Sequence, residues 1–159
     1  MATEILSNIE VLNLDHSSDR EEVLSKMAEV VIEKGYAVPG FLNAVLERER
    51  KYPTGLHTRG VEVAIPHADP EWTIKPSLTV GVLEAPVEFE PMGGEGDLVQ
   101  ARLIFMLTIA DPSEHLSFLK AFATLVEDED TLVEFEKNPD IRYLLGRLQS
   151  ALQTEESGI

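Results

Sequence analysis

The sequence contains no cysteine, few basic residues and no long hydrophobic run. The lack of cysteine excludes disulfides, thiolate nucleophiles and cysteine-based zinc sites. The longest apolar stretch, Leu103 to Ala110, is the length of a strand and falls far short of the roughly 20 residues that span a bilayer. Residues Met1 to Ser7 contain no cationic region leading into an apolar one. We therefore expect no secretion signal, no direct membrane insertion and a cytoplasmic location.

Basic residues are scarce in comparison with acidic ones. Lysine and arginine number 13 and aspartate and glutamate 29, which gives a formal net charge of −16. This charge repels polyanions, so we expect neither nucleic acid nor an anionic membrane surface as a partner. A basic protein would be attracted instead, with a larger effect on the association rate than on the final affinity. The alternative is that the acidity serves only solubility or adaptation to a salty cytoplasm.

The length and pattern of the chain predict one α/β domain over residues 1–159. Ser18 and Glu21 have the spacing of a capping box that opens a helix ending at Gly35, and a second helix is predicted from Pro39 to Lys51. Four runs have the composition of strands, and the last is continuous enough in apolar residues to be central: Val11–Leu14, Val61–Ile65, Leu78–Leu83 and Arg102–Ile109.

A further helix is predicted to begin at Asp111, with Pro112 at its first position. Two short helices follow, the second signalled by Asn138-Pro139. Strands placed between helices predict a three-layer α/β/α sandwich with a central mixed β-sheet. A fold class of this kind does not identify a function.

His67 lies at the exit of a predicted strand, in Ala64-Ile-Pro-His-Ala-Asp69. Pro66 ends sheet pairing and fixes the backbone, so the imidazole is held at the rim of the sheet on a stiff support. Neutral imidazole predominates near pH 7 and has a lone pair, so it can attack a phosphoryl group and pass that group on. The alternative from the residues alone is an ordinary loop histidine.

Three further residues have the chemistry to bind an anion. His115 lies in the predicted first turn of a helix, where free amides and the helix dipole favour negative charge; the alternative is a helix-cap histidine interacting with Glu114. Arg48 and Arg50 offer planar guanidinium groups that match phosphate, although alternating Glu and Arg is also typical of a solvated helix face. The following Pro53-Thr-Gly55 predicts a turn toward the next strand.

Other chemistries have weaker signals. His67-x-Asp69 supplies two metal-ligand types, but a catalytic zinc usually takes three protein ligands and the third would have to come from another element. The glycines from Gly93 to Gly96 lack the Lys-Ser/Thr of a phosphate-binding loop, and no Gly-x-Ser-x-Gly elbow is present. We predict no metal and no cofactor, and a metal-dependent hydrolase is retained as an alternative function.

Four segments together resemble one known family: Glu47-Arg-Glu49, Pro53-Thr-Gly55, Val63-Ala-Ile-Pro-His67 and Asp111-Pro-Ser-Glu-His115-Leu. They are similar to the fructose/mannitol-type (type 2) IIA domains of the phosphoenolpyruvate-dependent sugar phosphotransferase system. The resemblance extends over about residues 5–150, and Ala64-Ile-Pro-His67 is its most specific part. It implies a mixed sheet with helices on both sides, in agreement with the pattern of predicted elements.

The resemblance also implies a function and roles for residues. Such domains are phosphotransferases that accept a phosphoryl group from the phosphocarrier protein HPr and pass it to the cysteine of a IIB component. His67 matches the phosphorylated histidine, through Nε2, and His115 matches the second active-site histidine. Arg48 matches the arginine of the family's Arg-Glu motif, with Arg50 as the alternative. The other function that the resemblance allows is a regulatory module that signals through its phosphorylation state.

The loop before the phosphorylated histidine differs from that of most fructose and mannitol members. Those members have a tight Gly-x-Gly-type approach, whereas Leu56–Glu62 is longer here. With Tyr52-Pro-Thr-Gly-Leu56, this loop resembles the galactitol-type branch, although the membrane component mainly selects the sugar. The loop carries His57 and Arg59, which could approach the active site but are expected to be surface residues.

Overall fold

The computed structural model describes residues 2–14 and 19–157, and in these ranges six α-helices and five β-strands are found. In chain order they are α1 (Ala2–Ser7), β1 (Ile9–Leu14), α2 (Arg20–Glu33), α3 (Phe41–Lys51), β2 (Gly55–Leu56), β3 (Val63–Ala64), β4 (Ser77–Phe89), β5 (Val99–Thr108), α4 (Leu116–Glu127), α5 (Glu129–Lys137) and α6 (Ile141–Ser157). None of these described helices is long and apolar enough to cross a membrane.

The five strands form one mixed sheet in the order β1-β4-β5-β3-β2. The pairs β1–β4 and β3–β5 are parallel, whereas β4–β5 and β2–β3 are antiparallel. Because β3 runs parallel to β5, the segments that leave these two strands emerge at the same edge of the sheet. The carbonyl of Pro66 accepts a hydrogen bond from the Leu107 amide (3.3 Å), which holds the exit of β3 against the end of β5.

Helices cover both faces of the sheet. Alternation along β5 places Leu103 and Phe105 in a core formed with α1, α4, α5 and α6, and Ile104 and Met106 in a second core formed with α2 and α3. In the first core, the rings of Phe105 and Phe122 meet edge to face with their centroids 5.2 Å apart. The predicted three-layer sandwich with a central mixed sheet is confirmed.

The predicted helix end, helix cap and turn can each be compared with the structure. Gly35, with φ at +81°, follows the end of α2 as predicted. The predicted capping residue Ser18 lies outside the described residues; the observed cap is Asp19, whose side chain accepts from the Glu22 amide at 2.9 Å. The segment predicted to turn, Pro53–Gly55, connects the end of α3 to β2, and a second reversal in residues 57–62 joins β2 to β3.

The lengths of several elements also differ from the predictions. Strand β4 continues beyond Leu83 to Phe89 through a register shift between Val82 and Val87, which accommodates Pro86 within an antiparallel pair. The predicted strand Val61–Ile65 is paired only at Val63–Ala64, and α1 was not predicted. The last helix, predicted to be short, runs for 17 residues because its apolar positions pack along α4.

Gly55 and Gly146 give a matched pair of substitutions with opposite expected signs. A Cβ on Gly55 would lie 2.6 Å from the carbonyl oxygen of Glu90, whereas a Cβ on Gly146 would meet nothing within 4 Å. We expect Gly55→Ala to lower the free energy of unfolding by about 1–3 kcal/mol through overpacking. Gly146→Ala should raise it by about 0.5–1 kcal/mol, because alanine is the better helix former. Urea unfolding measures both; equal midpoints for the two variants would contradict the close approach at Gly55.

Candidate functional site

A cavity of about 400 Å³ lies where β3 and β5 end. Three of its lining side chains are polar or charged: Arg48 from α3, and His67 and Asp69 from the segment after β3. The remaining lining residues are apolar or proline: Ile65, Ala68, Pro70, Leu107, Ile109, Pro112, Leu119 and Phe122. The cavity therefore presents a small group of polar and charged side chains within an apolar wall.

The backbone around His67 fixes the orientation of its imidazole. Nδ1 donates a hydrogen bond to the carbonyl oxygen of Ile65 at 3.0 Å. A carbonyl can only accept, so Nδ1 carries the proton, and in the neutral ring Nε2 carries the lone pair. Within the described part of the chain, no group forms a hydrogen bond with Nε2. The half-buried ring is therefore oriented with the lone pair of Nε2 available.

The surroundings of His67 favour its neutral form. Burial lowers the pKa of His67 below its ordinary value, and the charge of Arg48 acts in the same direction. The hydrogen bond to Ile65 and the charge of Asp69 raise the pKa and offset part of this effect. The net result is a histidine that is neutral near pH 7 and able to donate its lone pair.

Arg48 has donors available in the cavity wall. Its Nη1 donates to Asp69 Oδ1 at 2.9 Å, and its guanidinium carbon lies 5.2 Å from the centre of the Tyr52 ring. Its Nε is buried and has no hydrogen-bond partner among the described residues. Because a buried donor without an acceptor is costly, an anion that reached this N–H would be bound favourably.

His115 lies at the junction between a 3₁₀ turn, Pro112–His115, and α4. His115 is 4% exposed. Two residues near it in the sequence, Pro112 before it and Leu119 after it, line the cavity. The Asp111 side chain accepts hydrogen bonds from the amide (3.0 Å) and the hydroxyl (2.6 Å) of Ser113, which fixes the turn. The amino end of α4 thus lies at the cavity wall. The side chain of Glu114, the alternative partner of His115, lies outside what the structure describes.

The other candidates lie elsewhere. Arg50 pairs with Glu21 at 2.8 Å on an exposed surface, so Arg48 is the arginine that lines the cavity with His67. His57 and Arg59 are exposed, as expected; His57 contacts Glu62 through Nδ1 and the carbonyl of Asp97 through Nε2 at 2.9 Å. His16 lies outside the described residues. No group of three His, Asp or Glu side chains that could hold a metal occurs within residues 2–14 and 19–157.

Two residues near the site differ from what the sequence pattern indicates. Asp69, a candidate metal ligand by its spacing from His67, pairs with Arg48. Glu49, in a run typical of a solvated helix face, is 6% exposed. A signal for the burial of Glu49 was present, since it continues the spacing of the buried residues Phe41 and Val45 along one face of α3.

Comparison with known proteins identifies relatives. The family model "Phosphoenolpyruvate-dependent sugar phosphotransferase system, EIIA 2" matches residues 4–150. The chain is 29% identical over 133 residues to a fructose-specific EIIABC component from Bacillus subtilis, covering 80% of this chain but 20% of that protein. It is 25% identical over 154 residues to the mannitol-specific enzyme IIA component of Halalkalibacterium halodurans, covering 93% and 99% of the two chains. A galactitol-specific EIIA component from Escherichia coli K12 is 24% identical over 112 residues, covering 70% of this chain and 74% of that protein.

Solved structures agree on the fold. A putative PTS IIA from Streptococcus mutans superposes with a TM-score of 0.72 at 21% identity, covering 96% of this chain and 94% of that one. The mannitol enzyme IIA from Escherichia coli, solved in complex with phosphorylated enzyme IIB, gives a TM-score of 0.67 at 25% identity, covering 90% and 94%. The similarity includes both the sheet and the helices on its two faces.

The structure predicts opposite pKa shifts for two histidines that one NMR titration can compare. His67 should titrate below 6.5 because of its burial. The pKa of His57 should lie above 6.5, because its ring nitrogens face the Glu62 carboxylate and the Asp97 carbonyl. These two acceptors favour the protonated ring, in which both nitrogens are donors. Glu62→Gln should lower the pKa of His57 and leave that of His67 in place. A His67 midpoint above 6.5 would contradict the described site.

The lowered pKa of His67 also predicts how the free energy of unfolding changes with pH. In the unfolded chain His67 binds its proton near pH 6.5, and in the folded protein it does so only at lower pH. Between these values the unfolded state binds more protons, so the contribution of His67 to the free energy of unfolding falls as the pH decreases. His67→Ala should reduce this pH dependence in urea unfolding.

Proposed function

The chain belongs to the EIIA type 2 family of the phosphoenolpyruvate-dependent sugar phosphotransferase system, and we propose that it carries a phosphoryl group on His67 Nε2. The group comes from phospho-HPr and passes to the cysteine of a IIB component. The observation that carries the proposal is the hydrogen bond from His67 Nδ1 to Ile65, which leaves Nε2 as the nucleophilic atom of the ring.

The chemical step is an in-line transfer between nitrogens. The Nε2 lone pair attacks phosphorus, an N–P bond forms, the N–P bond of the donor breaks, and the donor imidazole keeps the electron pair. The proton on Nδ1 remains in place, so the phosphorylated ring carries positive charge. The carbonyl of Ile65 stabilises that charge through the same hydrogen bond. In the second step the thiolate of IIB attacks phosphorus, and neutral His67 is regenerated.

Charge stabilisation comes from Arg48 in the cavity wall and from groups beside the cavity. Transfer of a phosphoryl group requires positioning of the reacting atoms and positive charge near the phosphoryl oxygens. Arg48 offers its unpartnered Nε–H, and its ion pair with Asp69 occupies Nη1 until a more highly charged phosphoryl group competes for the guanidinium. His115 and the amides at the amino end of α4 would bind further oxygens, because this helix end attracts anions.

The surroundings of the site suit transient protein partners. The apolar wall around His67 offers contact area, and an interface at the small end of the specific range is sufficient for rapid exchange. The relative from Escherichia coli was solved as a complex of enzyme IIA with phosphorylated enzyme IIB, which supports IIB as the acceptor. The net charge of −16 would accelerate encounters with a basic donor surface on HPr. Such a carrier would act in the cytoplasm.

Replacing the three candidate residues separates acceptance from stabilisation. His67→Ala should abolish acid-labile phosphorylation by phosphoenolpyruvate, enzyme I and HPr, because the acceptor atom is lost. Arg48→Met and His115→Ala should retain the acceptor and slow transfer by roughly a hundredfold, the cost of removing one charge-stabilising donor. His57→Ala, which changes an exposed histidine, is the control and should be phosphorylated at the wild-type rate. Mass spectrometry locates the phosphate.

Phosphorylation of His67→Ala at the normal rate would contradict the proposal. Phosphorylated protein that transfers to no IIB but binds another protein in only one state would favour the regulatory alternative. Hydrolysis of a phosphate ester that depends on added zinc would favour the metal-dependent hydrolase.

We further propose, from the resemblance of Tyr52–His67, that the cognate system is of the galactitol type. The mannitol and galactitol relatives are similar to this chain at 25% and 24% identity, so identity alone favours neither. The test is phosphoryl transfer from the phosphorylated protein to purified IIB components of the galactitol, mannitol and fructose systems. Fastest transfer to the galactitol IIB is expected, and a faster rate with either other IIB would reject this assignment.

A further inference from the structure

A chain of contacts leads from His67 to a buried carboxylate on α3. Glu49 is 6% exposed and accepts two hydrogen bonds from a single residue, Thr54. Its Oε2 accepts from the Thr54 amide at 2.8 Å, and its Oε1 accepts from the Thr54 hydroxyl at 2.7 Å. Because the hydroxyl proton points to the carboxylate, the lone pairs of Thr54 Oγ1 are available to other donors.

Those lone pairs are used by the residue that orients His67. The amide of Ile65 donates to Thr54 Oγ1 at 3.2 Å and to the Thr54 carbonyl at 3.3 Å. The carbonyl of Ile65 accepts from His67 Nδ1 at 3.0 Å. Pro66 restricts the backbone of Ile65 to extended conformations, so fixing its amide also fixes the direction of its carbonyl.

We propose that Glu49 is a positioning residue for His67, acting through Thr54 and Ile65 to hold the ring with its proton on Nδ1 and its lone pair on Nε2. This inference rests on the proposed function only for its kinetic consequence. The chain positions atoms and does not conduct protons. The amide and the carbonyl of Ile65 belong to different peptide groups, and Pro66 has no N–H to continue a relay.

The chemistry of Glu49 supports a role that an apolar residue could not fill. Taking a carboxylate out of water is unfavourable, and burial raises the pKa of Glu49 above its ordinary value. The two hydrogen bonds from Thr54 lower the pKa and offset part of this effect. Val45 and Phe41, one and two turns earlier on the same face, are fully buried and apolar, so packing alone does not require a carboxylate here.

The test uses pairs of variants that differ in one hydrogen-bonding group. Thr54→Val keeps the shape of the side chain and removes the hydroxyl, whereas Thr54→Ser keeps the hydroxyl. Glu49→Gln replaces one carboxylate oxygen with an NH₂ group. This donor would then face the amide or the hydroxyl of Thr54, both of which are donors. Controls for the same chemical changes on the surface are Thr124→Val and Glu33→Gln, both at exposed positions.

The first readout is the tautomer of His67 in the unphosphorylated protein, from the ¹⁵N shifts of the imidazole. We expect Thr54→Val and Glu49→Gln to increase the fraction with the proton on Nε2. The second readout is acceptance from phospho-HPr, where kcat should fall by roughly tenfold to a hundredfold with little change in the KM for HPr. Thr54→Ser and both surface controls should match the wild type in both readouts.

Two results would overturn the inference. One is an unchanged His67 tautomer in Thr54→Val, even if the melting temperature falls, because the contacts would then serve stability alone. The other is a changed tautomer with an unchanged kcat. If Glu49→Gln does not fold, the pair Thr54→Val and Thr54→Ser decides the outcome. Failure of wild-type His67 to accept phosphate would reject the proposed function, while the tautomer measurement would still test the positioning.

Discussion

The hydrogen bond between His67 Nδ1 and the carbonyl of Ile65 is the contact on which the chemistry of the site depends. It fixes the tautomer, aims the ring and provides an acceptor for a positive charge on the ring. The partner is backbone, so its position is set by everything that holds the segment after β3: the pairing of Val63 and Ala64 with β5, the bond from Leu107 to Pro66, and the contact of Ile65 with Thr54. Contacts with the sheet thereby restrain the short segment that carries His67.

Burial affects two basic groups in the cavity. It keeps His67 neutral by disfavouring the imidazolium, and the buried Nε of Arg48 has no hydrogen-bond partner among the described residues. A neutral nucleophile beside an available cationic donor is an arrangement suited to a dianionic phosphoryl group. Asp69 moderates it, since the carboxylate pairs with Arg48 and also raises the pKa of His67. His57 shows the contrast: it is exposed, faces two acceptors and has a raised pKa.

The remaining features fit a carrier that meets different proteins in turn. The charged groups form a small cluster in an otherwise apolar wall, so that most of the contact with a partner would not depend on the phosphoryl group. The strong negative charge of the chain can attract a basic partner over a distance without making the complex long-lived. Exchange between donor and acceptor requires this combination of rapid encounter and rapid release.

Features that depend on neighbours in the chain could be predicted from the sequence. The periodicity of α2 and α3, the apolar run of β5, the proline before His67 and the aspartate and proline before His115 predicted a mixed α/β/α sandwich and placed two histidines at element ends. Two features follow only from the folded structure: Arg48 is the arginine that lines the cavity, and Nδ1 is the nitrogen of His67 that carries the proton. Each of these is set by contacts between segments distant in the chain, such as Arg48 with Asp69 and Thr54 with Ile65. Local composition is the same whether or not such contacts form, so it carries no information about them.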